Sequence, residues 1–230
     1  MSEFDRHAAD FETQINQSIA FSGLTERYFT ECKAAHILEL IGGFIGPPEN
    51  SSVLDVGCGT GRLHDFLEGR VGRVSGTDVS SSSLDRAARE HPEADYREFD
   101  GRRLPFNDSS HDLSFAVNVF HHVPPHDRQA LANEMVRVTR PDGVVAILEH
   151  NPFNPLTRLS VLRCEFDADA VLLTAGESRR LVRDAGAVEV ESRYITFLPV
   201  APRRAVRVDR ALGWLPAGAQ YIAFGRAPAS

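Results

Sequence analysis

Val53-Leu54-Asp55-Val56-Gly57-Cys58-Gly59-Thr60-Gly61-Arg62-Leu63 is the stretch that decides the fold. A short β-branched and apolar run meets three glycines at alternate positions, and a helical pattern is expected to follow. Such a run describes a buried parallel strand that ends in a tight turn. Each glycine removes a Cβ, so the chain can turn sharply and a ligand can lie on the backbone. The first amides of a following helix are unpaired and weakly positive, which suits an anionic group. The spacing matters too: Gly57, Gly59 and Gly61 read G-x-G-x-G, whereas dinucleotide turns read G-x-G-x-x-G.

Outward from this turn, strands and helices alternate. Val71 to Thr77 reads as a second strand with Asp78 at its end, and Arg62 to about Gly69 as the crossover helix before it. Leu84, Ala87 and Ala88 mark another helix, stopped by His91-Pro92. Ala94 to Phe99 is a third strand leading into Asp100-Gly101. Asp112 to Asn118 is a fourth, buried strand, followed by Val119-Phe120-His121-His122-Val123-Pro124-Pro125. Leu131, Met135 and Val138 share a helix face, and Arg140-Pro141-Asp142-Gly143 reads as a turn. Val144 to Leu148 is a fifth strand, which delivers Glu149-His150-Asn151-Pro152 to the same sheet edge as the glycine turn. Val188 to Phe197 and Gln220 to Arg226 are the last two strands. Upstream, Phe11, Ile15 and Ile19, then Ala34, Ile37, Leu38 and Ile41, recur at helical spacing, with Gly42-Gly43 and Gly46-Pro47-Pro48 as stops.

The turn, with Asp55 two residues ahead of its first glycine, resembles motif I of the class I S-adenosylmethionine (SAM) methyltransferases. Asp100 through Leu104-Pro105-Phe106 is similar to their adenine-contacting segment, and the run Val53 to Leu148 resembles the core of the type-11-like members. The resemblance implies one Rossmann-like α/β domain with a seven-stranded, mostly parallel sheet, the last strand antiparallel and helices on both faces. It divides the chain into an N-terminal helical arm, residues 1–46, and a methyltransferase domain, residues 47–230, with 198–216 as a cap insertion. SAM is the implied cofactor and S-adenosylhomocysteine the product. Carried over by position, the expected cofactor residues are Asp55, Gly57, Cys58, Gly59, Gly61, Asp78, Val79, Asp100, Gly101 and Asn118. Asp78 is placed on the ribose diol, where a carboxylate accepts two hydrogen bonds, although the same residue can cap the next helix. Tyr28 and Lys33 of the arm are expected at the cofactor, Lys33 on its carboxylate; a surface helix with one buried aromatic is the competing reading.

SAM brings an already activated methyl group, so the protein mainly has to align the acceptor. A hydroxyl acceptor must also lose a proton, a task suited to histidine. His121, His122 and His150 stand on the expected loops, with His150 or His122 the favoured base. Adjacent residues of an extended segment point opposite ways, so only one of His121 and His122 is expected to reach the pocket. The His-His pair, with Glu149 and His150 as further ligands, invites a metal reading, but no other metal motif accompanies it and no metal is expected. A non-catalytic SAM-binding regulator, a nicotinamide-dependent oxidoreductase and an aminopropyltransferase are the competing functions. The G-x-G-x-G spacing argues against the second and Arg62 against the third.

The 230 residues suit a single domain, and 42% hydrophobic content supplies a sizeable core. A net charge of −7 argues against a nucleic-acid partner. Cys32, Cys58 and Cys164 are too far apart for a zinc or disulfide framework. Met1-Ser2-Glu3-Phe4-Asp5 has no signal-peptide character and no run is long enough to span a membrane, so a cytoplasmic protein is expected. Arg203, Arg204, Arg207 and Arg210 line one side of a helix opposite Val208, Ala211 and Leu212, with Trp214 beyond. That helix is either a solvated cover or dimer contact, or a contact for an anionic membrane surface or phosphate-bearing substrate. A weaker likeness to polysaccharide-biosynthesis methyltransferases, carried by Leu215-Pro216-Ala217-Gly218-Ala219-Gln220-Tyr221 and the His-Asn-Pro loop, ranks a small-molecule, glycan or lipid-linked acceptor. Monomer and homodimer are both compatible with the sequence.

Overall fold

The computed structural model describes residues 11–229. Seven strands form one sheet: β1 (Ser52–Val56), β2 (Arg73–Asp78), β3 (Asp95–Glu98), β4 (His111–Val117), β5 (Thr139–His150), β6 (Val188–Ile195) and β7 (Gln220–Arg226). Their spatial order is β3-β2-β1-β4-β5-β7-β6. β1 through β5 pair in parallel, and β7 runs antiparallel to both β5 and β6. The order reverses between β1 and β4, so the loops after these two strands open into one crevice at the carboxyl edge.

Both faces of the sheet are covered, which is why its central strands read as unbroken apolar runs. Val53, Phe115, Val144, Ala146 and Leu148 point to one side, where they meet Ile37, Leu40 and Ile41. Leu54, Val56, Ala116, Val145 and Ile147 point to the other and meet Leu131, Met135 and Val182. The helices supplying these partners are α2 (Glu26–Phe44) on the first face, and α4 (Arg128–Val138) and α6 (Ala175–Asp184) on the second. The remaining helices are α1 (Phe11–Ile19), α3 (Ser81–Glu90), α5 (Pro155–Arg163) and α7 (Pro202–Leu212).

Several local expectations need correction. Arg62 to Gly69 does not form a crossover helix: only a single 3-10 turn, His64–Phe66, appears there. Gly61 and Gly69, at φ +77° and +69°, bracket the segment. His64 is drawn inward, 3.3 Å from Asp55 and 2.6 Å from the Tyr96 hydroxyl, and Leu63 and Leu67 are buried beside it without a full helical turn forming. Gly42-Gly43 do not stop α2, which runs on to Phe44; both glycines are on its exposed side, where their low helix propensity is tolerated. Residues 140–143 bulge out of β5 rather than ending it, since Thr139 pairs with His111 and Val144 already with Leu113.

The last helix also differs from its reading. Arg203, Arg204, Arg207 and Arg210 are exposed as expected, and Ala211 is exposed with them. Its buried residues are Ala205 and Asp209. Asp209 is wholly buried and accepts from the Thr196 and Phe197 amides at 2.9 and 3.2 Å, with His36 Nε2 2.8 Å away. Met1 to Asp5 and the Phe11 side chain lie outside the described residues. Among the described residues no helix is long and apolar enough to cross a membrane.

Candidate functional site

A cavity of about 580 Å³ opens at the carboxyl edge, between the loops after β1, β2, β4 and β5 and a wall made by α1, α2 and the 196–199 segment. At one end it is built from backbone. Gly57, at φ +76°, lies where a Cβ would sit 2.5 Å from Val119, so only glycine fits. Gly59, at φ +53°, has open space where its Cβ would be, leaving bare backbone facing the cavity. The turn is held from below: the Gly57 and Cys58 amides donate to the Thr77 carbonyl at 2.7 and 3.0 Å. From the side, Asp78 accepts from the Gly59 amide at 2.8 Å and the Ser80 amide at 2.9 Å. Burial raises the Asp78 carboxyl above its ordinary range, against the pull of these two amides.

Asp55, Cys58, Val79, Gly101 and Asn118 join the same end, with Thr60, Ser83 and Phe99 as further lining. Asn118 takes a left-handed conformation, φ +56°, and its buried Oδ1 has no hydrogen-bond partner among the described residues. An uncovered backbone shelf, a diol-sized carboxylate and an orphaned acceptor are the features an adenosyl amino acid needs. Gly61 does not line the cavity; it packs against Tyr96 and His91 behind the turn. Asp100 also falls outside the lining, because its Oδ1 accepts from the Arg102 and Arg103 amides at 2.9 and 3.0 Å. With no α-helix after Gly61, the anion-holding helix start expected there is absent as well.

The other end is built from side chains. His121 is buried, with Nδ1 2.6 Å from Glu149 Oε2, while its backbone amide donates to Glu149 Oε1 at 3.3 Å. Its Nε2 faces Asp167 at 3.4 Å, and His122 Nε2 lies 3.5 Å from the same carboxylate oxygen. The His121 ring is 4.1 Å from that of His122 and 5.4 Å from that of His150, centroid to centroid. All three histidines line the cavity, contrary to the expectation that only one of His121 and His122 would reach it. The reason is local: the His122 amide bonds to the Val119 carbonyl and Val123 to Phe120, so this segment turns instead of extending.

The electrostatics separate the three rings. Burial pushes His121 down, but the Glu149 and Asp167 carboxylates outweigh it and hold its pKa at about 9. His122 and His150 are both lowered to about 4, first by burial and then by the charge on His121. Burial opposes ionisation of Glu149 and Asp167, yet His121 keeps both below the ordinary carboxylate range. Lys33 lines the same cavity, its pKa lowered by burial against the attraction of Glu26 and Glu149. Tyr28 also lines it, its hydroxyl donating to the Leu198 and Val200 carbonyls at 3.1 and 3.0 Å. Apolar residues close the mouth, among them Ile15, Ile19, Phe21, Leu24, Leu156 and Leu198.

Asp167 was not found from the sequence. It sits in a 3-10 turn, Glu165–Asp167, within a loop whose residues carry no periodic pattern. Cys164, to which no role was assigned, is buried beside it with its thiol pushed up to about 11 by that burial.

Comparison with known proteins gives a consistent picture. Residues 54–147 match the family model described as a methyltransferase domain. The chain is 32% identical over 120 residues to the 2-methyl-6-phytyl-1,4-hydroquinone methyltransferase of Synechocystis, a match covering 50% of this chain and 37% of that protein. It is 26% identical over 207 residues to the ubiquinone biosynthesis O-methyltransferase of Alkalilimnicola ehrlichii, covering 80% and 82% of the two chains. The chain spans half or less of the length of the first curated relatives it matches. A Thermotoga maritima structure, described as a SAM-dependent methyltransferase and possible histamine N-methyltransferase, superposes over 97% of this chain and 98% of its own. That superposition has a TM-score of 0.69 at 19% identity.

Proposed function

We propose that this chain, whose residues 54–147 match a methyltransferase domain, is a class I SAM-dependent methyltransferase that methylates a hydroxyl group on a largely apolar small molecule, using a histidine as proton acceptor. One observation carries the reading: the bare glycine turn and the histidine–carboxylate cluster open into the same cavity. SAM, when bound, would supply an activated methyl group; moving it to a hydroxyl oxygen would leave the S–CH3 electron pair on sulfur and free the hydroxyl proton. His150 is the residue we place on that proton. It stands at the end of β5 facing the cavity, while Glu149 and Asp167 engage His121.

The other roles follow from position. Asp78 fixes the glycine turn through Gly59 and presents its carboxylate edge to a ribose diol. The Asn118 Oδ1 accepts from an ammonium or amine of the cofactor. Lys33, drawn towards Glu26 and Glu149 in the cavity wall, is the cationic residue placed to meet a carboxylate there. Ile15, Phe21, Leu24 and Leu198 favour an apolar body on the acceptor, which agrees with a quinol-like or lipid-linked molecule more than with a free sugar. The exposed arginines of α7 offer a surface for anionic lipid or phosphate.

The test begins with calorimetric titration of SAM, S-adenosylhomocysteine and NADH into the wild type and Asp78→Ala. Both adenosyl ligands bind the wild type, and the variant loses at least ~10-fold in affinity. NADH binding without a response to SAM would overturn the cofactor assignment. Transfer of a labelled methyl group to a panel of phenols, quinols and amines then decides the acceptor atom. Methylation confined to amines would sink the hydroxyl reading.

A further inference from the structure

We propose that His121, His122 and Asp167 form a binding site for one divalent first-row transition ion, next to the methyl-transfer position. The ligand atoms, one per residue, all lie within 4.8 Å of one another. Two of the separations, His121 Nε2 to Asp167 at 3.4 Å and His122 Nε2 to Asp167 at 3.5 Å, match the edge of a small coordination shell. A tetrahedron with metal–nitrogen and metal–oxygen bonds of about 2.0–2.1 Å has edges of about 3.4 Å. The third pair lies within 4.8 Å.

Three further observations point to an ion. First, His121 is buried, and its Nε2 has no hydrogen-bond partner among the described residues, although it faces Asp167. Second, Glu149 grips the opposite ring nitrogen at 2.6 Å, the carboxylate–histidine arrangement that orients imidazoles towards metals. Third, charge is short: Glu149 and Asp167 are both buried, and among the described residues neither has a lysine or arginine within ion-pair distance. A divalent cation neutralises such a pair. Two imidazoles and one carboxylate suit zinc, cobalt, manganese or ferrous iron better than magnesium or calcium. The donors leave coordination positions open towards the cavity, where an acceptor oxygen can bind and acidify its proton.

That last step rests on the hydroxyl-methylation reading, but ion binding does not, and the experiment keeps them apart. Full-length protein stripped with chelator is titrated with cobalt(II), followed by its visible absorption, and with zinc by calorimetry. No acceptor is present. One equivalent binds, with the ligand-field absorption of a low-coordinate nitrogen–oxygen site. His122→Ala and Asp167→Asn each weaken binding by at least ~100-fold, and Glu149→Gln by ~10–100-fold. Affinity for S-adenosylhomocysteine in the same samples reports that each variant is folded; the near-isosteric Asp167→Asn guards against loss of structure in the other. Failure of the stripped wild type to take up either ion would overturn the site, as would binding indifferent to both His122→Ala and Asp167→Asn. Methyl transfer that survives chelation alongside tight ion binding would assign the ion a structural role and refute its place at the acceptor. Loss of SAM binding in the wild type would count against the functional reading alone.

Discussion

The two ends of the cavity are built from different materials. The glycine turn is main chain, its amides satisfied by Thr77 and Asp78 and its shape imposed by positive φ angles. The histidine end is side chain, drawn from positions 121 and 122 in the loop after β4, 149 and 150 at the end of β5, and 167 in a 3-10 turn. Backbone geometry restricts the residue types that produce it, whereas a buried charge cluster can be assembled from many arrangements. On the proposed reading, the first end fixes what binds generally, and the second sets what chemistry follows.

The largest expected effect is on turnover. His150→Ala lowers kcat by ~10²–10⁴-fold, the usual contribution of a positioned proton acceptor, and leaves SAM affinity within a few-fold. Single-turnover rates beside calorimetry check this, and an equal loss of SAM affinity would erase the division between the two ends. Next comes Glu149→Ala, which leaves His121 buried beside Asp167 alone and costs about 3–5 kcal/mol of stability, read from denaturant melts. An unchanged midpoint would show that the cluster is not held by its charges. Gly57→Ala puts a Cβ against Val119 in a left-handed conformation and lowers SAM affinity by about 10-fold or more, with little effect on ion uptake. Wild-type affinity in that variant would mean the turn is softer than its geometry implies.

The smallest effect concerns a histidine outside the cavity. His111, at the start of β4, is buried and lowered to about 4 by that burial and by Arg73 and Arg97, while Asp95 and Asp112 act in the opposite sense. Its rings are within 3.0 Å of Ser110 and 3.2 Å of Ser75 hydroxyls. The unfolded chain takes up its proton near pH 6.5 and the folded chain resists it until about 4. The stability contribution is therefore complete above 6.5 and is lost as pH falls towards 4. Melting temperatures from pH 7 to 5 should fall by about 2–4 °C more in the wild type than in His111→Gln. Parallel pH slopes would assign the acid sensitivity to other groups.

Much of this architecture is legible in the residues. Unbroken apolar runs placed the central strands, because a sheet covered on both faces needs apolar side chains on both. β7 begins and ends where the run Gln220 to Arg226 does. The glycine turn was legible for the same reason that it resists substitution. Arg62 to Gly69 was misread because the competing pull on His64 comes from Asp55 and Tyr96, which are local in space and not in sequence. Asp100 was misplaced because an aspartate can spend its carboxylate on the next turn's amides as readily as on a ligand. Asp167 carried no signal at all: a 3-10 turn in an irregular loop has no period to detect.

The wall that α2 forms with the 196–209 segment has a consequence for the order of synthesis. Tyr28 bonds to the carbonyls of Leu198 and Val200, and His36 meets Asp209, so contacts that complete the cavity join positions more than 160 residues apart. Ile37 and Leu40 find their first partner when Val53 is made, but Tyr28 and His36 must wait for partners about 170 residues further on, translated at ~5–20 residues per second. The nascent chain thus holds the cavity-wall side of α2 open for on the order of ten seconds, and the cavity is completed only near the end of synthesis.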